Sequence, residues 1–237
     1  MKIEGCVAFV TGAGRGLGAG LLEELLERGA HKVYAGVKRN DGFADGDSRI
    51  VPVEIDITSL EQVAKAASGA KDITLLINNA GLNRIQPVLD ANDPGAARAE
   101  MEVNYFGTLN MMRAFAPALK SNGGAIINIL SILARVALPS MASLSASKAA
   151  ALRMTEGARA ELAPHQVRVI SVLPGPIDTE MSRNVPPPKM PVEEAVDAVL
   201  AALEGGVDEI YMGEMAQDIA QALASDRQAL HTRLLML

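Results

Sequence analysis

Val7-Ala8-Phe9-Val10-Thr11-Gly12-Ala13-Gly14-Arg15-Gly16-Leu17-Gly18 is the stretch on which the fold is read. A short apolar run enters a turn with glycine at every second position. Apolar residues at helical spacing follow over Leu17–Arg28, closed by Gly29. Strand, glycine turn and helix in that order predict the opening of a β-α-β unit. Glycines permit the tight turn and let backbone amides approach a pyrophosphate. The helix N-terminus then favours the negative charge. Gly12, Arg15, Gly16, Leu17 and Gly18 are therefore candidate contacts to a dinucleotide.

Beyond this unit the chain keeps alternating. Lys32–Val37 and Ile50–Glu54 read as further strands, with a helix from about Ser59. Ile73–Ile77 is a fourth strand, followed by a helix over roughly Ala96–Leu119. Ala125–Leu130 is a fifth strand and Met141–Ala163 a long Ala-rich helix. Val167–Val172 is a sixth strand, ending in Pro174-Gly175-Pro176. A Pro-rich stretch, Val185–Pro191, leads to a helix near Val192–Leu203, then a short strand Glu209–Met212 and a C-terminal helix. Most strands are nearly unbroken apolar runs, as both-sided burial requires. The expected architecture is α/β: a doubly wound parallel sheet of Rossmann type, one domain over residues 1–237.

Composition narrows the function classes. The formal charge is -6 with no basic run, which argues against a nucleic-acid partner. The longest apolar region, Ala125–Leu138, is broken by Asn128, Ser131 and Arg135 and is too short and polar for a membrane span. The single cysteine, Cys6, reads as a small core residue and fits a reducing, cytoplasmic setting. No signal peptide precedes the first strand. His31, His165 and His231 lie outside every motif, and no Cys/His cluster points to a metal.

The second strand ends Val37-Lys38-Arg39. An acid at this place binds the 2′-hydroxyl of NAD, whereas a cation accommodates the 2′-phosphate of NADP. Val37 fills the acidic slot, with Lys38 and Arg39 behind it and Arg15 in the turn. NADP(H) is thus favoured over NAD(H), against the plainer reading of Lys38 and Arg39 as solvated loop charges.

With these pieces in order, the chain resembles the short-chain dehydrogenase/reductase family over essentially its whole length. Thr11-Gly12-x-x-x-Gly16-x-Gly18 is similar to that family's cofactor turn, and Asn78-Asn79-Ala80-Gly81 to its structural motif. Asp56-Ile57 resembles the pair that contacts adenine. Asn104 resembles the active-site asparagine, Ser131 the catalytic serine and Pro174-Gly175-Pro176-Ile177-x-Thr179 the loop beneath the nicotinamide. The resemblance implies a substrate lid over 182–204 and a homodimer or homotetramer through helices Ala96–Leu119 and Met141–Ala163. It implies a small-molecule substrate, and Met181 and Met190 suit an apolar one.

One position departs from the resemblance. The family has Tyr-x-x-x-Lys after its serine; this chain has Leu144-Ser145-Ala146-Ser147-Lys148. Residues 144 and 148 share a helix face, so Leu144 is expected where the phenol would project. Leucine carries no proton, and losing a positioned acid costs about 10²–10⁴-fold in rate. Ordinary ketone reduction is expected to suffer. Three readings remain: a working reductase with its tyrosine replaced; an enzyme for an iminium or conjugated alkene, which does not need that acid; or a non-redox NADP(H)-binding isomerase, lyase or sensor. Lys148 keeps a ribose-binding role in each. The plainer readings make Ser131 a strand-end cap, Asn104 a helix hydrogen bonder and Leu144 a packing residue.

Overall fold

Strands form where both faces of the chain are apolar, and their order decides where a ligand can sit. The computed structural model describes residues 1–39 and 46–234; residues 235–237, the end of the expected domain, lie outside these. The strands are β1 (Val7–Thr11), β2 (Lys32–Val37), β3 (Ile50–Glu54), β4 (Leu75–Asn78), β5 (Gly124–Ile129), β6 (Val167–Pro174) and β7 (Glu209–Met212). They pair in parallel in the order β3-β2-β1-β4-β5-β6-β7. The order reverses between β1 and β4, and a crevice at the strands' C-terminal ends is the usual consequence. Right-handed crossovers then carry the helices to alternate faces.

The helices are α1 (Gly16–Glu27), α2 (Leu60–Gly69), α3 (Ala96–Met101), α4 (Thr108–Asn122), α5 (Ala142–Leu162), α6 (Val192–Gly205), α7 (Glu214–Ser225) and α8 (Arg227–Leu234). α1 and α6 cover one face of the sheet, packing Leu21, Leu25, Val199 and Leu203 against Val10, Ile77 and Ile127. α2, α4 and α5 cover the other around Phe9, Leu76 and Phe115. Phe9 and Phe115 are fully buried with ring centroids 4.9 Å apart, which pins β1 to α4. Cys6 is 5% exposed and belongs to the core, as read from its neighbours.

Several boundaries differ from those expected. β4 starts two residues late and runs on to Asn78, because Asn78 finds a buried partner. Its amide donates to Asn128 Oδ1 at 2.8 Å, and the Asn128 amide donates to Thr155 Oγ1 on α5 at 2.9 Å. The helix expected over Ala96–Leu119 is not regular: Glu102–Gly107 winds as a π-helix between α3 and α4. The C-terminal helix is two helices, since Asp226 leaves helical geometry and accepts the Ala229 N–H at 2.9 Å to start α8. The expected lid 182–204 divides in the same way. Its second half is α6, whose Ala195, Val196, Val199 and Leu200 are buried in the core. The loop before α6 is less embedded, though Ser182 is buried and Met190 packs against the core.

Candidate active site

The glycine turn is held from β4. Thr11 Oγ1 accepts the backbone N–H groups of Asn79 and Ala80, each at 3.0 Å. The Asn79 amide donates in return to the carbonyls of Thr11 at 3.0 Å and Gly12 at 3.2 Å. Asn79 and Ala80 therefore brace the turn. Thr11, the first residue of the cofactor-turn motif, thus ties the turn to the chain after β4 through its hydroxyl.

Gly12 and Gly16 have φ +66° and +54°, a region that L side chains rarely enter. Gly18 is helical, but a Cβ there would run into the Gly12 carbonyl oxygen and stand 2.6 Å from Asn79 Nδ2. The α1 N-terminus follows at once. Arg15, its N-cap, contributes no side-chain capping bond, and the first turn holds no acid. A helix N-terminus without a cap, in a concavity cleared of side chains, fits a pyrophosphate. Leu17 is 6% exposed and packs in the core, so only its backbone faces that space.

The end of β2 lies directly beside the turn. Thr11 pairs with Gly36, and Ala13 N–H donates to Gly36 O at 3.1 Å. A Cβ on Gly14 would stand 3.4 Å from Val37 Cγ1, so Val37 packs beneath the turn. Lys38, expected to face a phosphate, instead pairs with Asp56 at 2.9 Å. Both keep exposed surface, so the pair is a weak tie. Burial pushes the Asp56 carboxyl up, but the Thr58 N–H, Lys38 and the Thr58 hydroxyl outweigh it and hold it below its usual value. Arg15 and Arg39 are exposed and form no ion pair among the described residues. Ile57 is buried and can offer only backbone.

Lys148 stands at the centre. Its Nζ donates to Ile129 O, the last residue of β5, at 3.1 Å. A Cβ on Gly81 would lie 3.6 Å from the same nitrogen, so Gly81 lets the ammonium stand against backbone. No acid pairs with it among the described residues. Burial pushes its pKa down from 10.5 to about 8. An ammonium has three donors; the unused ones fit hydroxyl groups of a ribose.

Ser131 lies two residues past β5. Its Oγ accepts the Leu133 N–H at 3.1 Å and caps the short helical turn Ile132–Ala134. The cap leaves the hydroxyl hydrogen free to donate. Asn104 lies in the π segment and is 2% exposed. Its Oδ1 accepts Leu82 N–H at 2.8 Å, and its amide donates to Leu82 O and Ser147 Oγ, each at 2.9 Å. Every strong group of that side chain is taken, so Asn104 acts as a clamp. Ser147 joins this network unheralded by any motif reading.

Leu144 is 7% exposed. It packs with Ile132 and Leu133 after β5, Ile219 of α7, and Leu230 and Leu234 of α8. The other hydroxyl-bearing rings are engaged elsewhere or lack a bond to the site. Tyr34 donates to Asp72 at 2.8 Å and Tyr211 to Glu209 at 2.7 Å, and burial raises both phenols. Tyr105 stacks edge-on against Phe106, centroids 4.9 Å apart.

The loop after β6 closes the cleft. Gly175 N–H bonds Met212 O, and Ile177 pairs with Met190, so Pro174–Met190 forms a pinned excursion. Ile177 is core, whereas Thr179 reaches the glycine turn: its Cγ2 would lie 3.1 Å from a Cβ on Gly16. A hollow of about 190 Å³ opens here among Gly175, Pro176, Met190 and Met215. A larger one of about 340 Å³ lies against β7 and includes none of the site residues.

Residues 6–189 match the short chain dehydrogenase family. The chain belongs to that family. This short-chain dehydrogenase is 33% identical over 191 residues to carbonyl reductase [NADPH] 2 of Sus scrofa, covering 78% of this chain and 77% of that one. It is 31% identical to trans-4-hydroxycyclohexanecarboxylate dehydrogenase of Sinomonas cyclohexanicum, covering 95% and 88%. A short chain dehydrogenase from Burkholderia cenocepacia J2315, solved in complex with NADP, superposes with TM-score 0.97 at 84% identity over 99% of each chain. Among the described residues of this short-chain dehydrogenase, no helix is long and apolar enough to cross a membrane and no group of His, Cys, Asp or Glu could hold a metal.

Proposed function

We propose that this short-chain dehydrogenase uses NADP(H) to reduce a C=O, C=N or activated C=C bond, without the tyrosine acid of its family. The observation that carries the reading is Lys148: an enclosed ammonium with unused donors, facing Gly81 beside a glycine turn cleared for a pyrophosphate. NADP is favoured because β2 ends in Val37-Lys38-Arg39 rather than an acid, and because the relative of 84% identity was solved with NADP.

When bound, the cofactor supplies the hydride. Gly12–Gly18 and the α1 N-terminus would hold its pyrophosphate, Lys148 its ribose, and Arg15 and Arg39 the 2′-phosphate. Asp56 and Ile57 would contact the adenine, Asn79 and Ala80 would keep the turn braced for it, and Pro174, Gly175, Ile177 and Thr179 would border the nicotinamide. Ser131 donates its free hydroxyl hydrogen to the substrate oxygen. Leu144 takes the place of the phenol and offers no proton. A substrate already carrying positive charge on C=N needs none, so iminium compounds suit the site better than ketones. The apolar wall around Leu144 and the exposed Met181 and Met215 favour an apolar substrate. The family helices α4 and α5, with Phe106 43% exposed beside them, are assigned to a homodimer or homotetramer contact.

The test pairs wild type with Leu144→Tyr on matched ketone, imine and enone substrates, with NADPH and NADH. Wild type should prefer NADPH and reduce the imine fastest in its protonated, iminium form. Leu144→Tyr should raise ketone turnover by about 10²-fold or more. Turnover of nothing by either form would favour a non-redox NADP(H)-binding protein.

A further inference from the structure

Glu100 lies in α3 with 0% of its surface exposed. A carboxyl group at that depth is costly unless donors reach its oxygens. Oε1 accepts the backbone N–H of Arg84 at 2.8 Å. Oε2 has no partner among the described residues, and neither has the buried Ser143 hydroxyl on α5.

One turn further along the same helix, Asn104 grips both backbone groups of Leu82. The chain from Leu82 to Arg84 is thus held at alternate residues by side chains one turn apart. Two residues of extended chain span about 6.6 Å and a helical turn rises about 5.4 Å, so both clasps can close at once. Asn83 turns the other way. Its Oδ1 accepts Ile85 N–H at 2.9 Å and its amide lies 3.9 Å from Met141 Sδ at the start of α5. Ile85 then takes φ +51°, which a β-branched residue adopts only when its surroundings impose it. This segment starts at Gly81, against the Lys148 ammonium.

We propose that Glu100 is a positioning residue that sets the wall Leu82–Ile85 beside Lys148 by holding the Arg84 N–H. Asn104 alone fixes one point of that wall; Glu100 fixes the second and so its direction. It touches no reacting atom. The kinetic part of the test rests on the reductase reading, and the exchange part does not.

Hydrogen–deuterium exchange is measured on the whole protein for wild type, Glu100→Gln, Glu100→Leu and Arg84→Pro. Glu100→Leu should speed exchange over residues 81–87 by about tenfold or more, because the buried amide loses its acceptor. Glu100→Gln keeps an acceptor oxygen and should stay within about threefold. Arg84→Pro removes the donor from an exposed position and should match Glu100→Leu even if the core variant folds poorly. With the iminium substrate, KM should rise about fivefold or more in the two disrupted forms, while kcat and the NADPH Kd change less than about twofold. Unchanged exchange in Arg84→Pro, or Glu100→Gln as damaged as Glu100→Leu, overturns the proposal. If wild type reduces none of the ketone, iminium and enone substrates, the reductase reading fails and exchange alone decides this one.

Discussion

On the cofactor side of the cleft, Thr11–Gly18 is joined to Asn79 and Ala80 almost wholly by backbone groups and short side chains. On the substrate side, Leu144 shares a hydrophobic cluster with residues of α7 and α8, elements some 70–90 residues further along the chain. The first side tolerates almost no added atom, because backbone meets backbone there. The second is apolar side chain against apolar side chain, which tolerates exchange if volume is kept.

The sharpest way to break this comparison is Gly18→Val. The new side chain would run into the Gly12 carbonyl and Asn79. NADPH binding, followed by fluorescence titration, should weaken about a hundredfold, the upper range for overpacking. Retained affinity would reduce the glycines to helix-packing residues.

Lys148 joins the two sides, and pH tests it. In the folded protein burial brings its pKa from 10.5 to about 8. Between these values the unfolded chain binds more protons than the folded one, so stability rises with pH. The cost of burying the ammonium is fully present below pH 8 and is relieved by pH 10.5, up to about 3 kcal/mol. Thermal melts of the cofactor-free protein should show a rise from pH 7.5 to 9.5 that Lys148→Met lacks. Parallel curves for the two proteins would mean that the ammonium is solvated.

The smallest expected effect is at Lys38→Ala. Its pair with Asp56 is exposed, and such pairs contribute about 0–1 kcal/mol. The NADPH Kd should move by less than about fivefold. A loss above tenfold would show that Lys38 leaves Asp56 for the 2′-phosphate, and would shift the NADP preference from Arg15 and Arg39 to it.

How legible each part was follows from range. β2, β3 and β7 lie where the apolar runs placed them, since continuous apolar residues with turn breaks define a buried strand. The π turn at Glu102–Gly107 was not legible, because the bonds that Asn104 makes from it reach Leu82 and Ser147, which sequence spacing does not bring together. The Lys38–Asp56 pair was missed for a similar reason: it joins the ends of neighbouring strands. The family resemblance places α6 within the lid, yet its apolar face is core.

The sequence by itself determined the sheet, the glycine turn and the absence of a phenol four residues before Lys148. Each is a local property: a run, a spacing or a residue type. Only the tertiary structure decided the surroundings of that vacancy, since the walls of Leu144 come from α7 and α8. It alone decided that Lys148 is enclosed with no carboxylate partner among the described residues, and that Glu100 is buried against Arg84. Burial and partnership depend on which distant segments fold over a residue, and no local pattern encodes that.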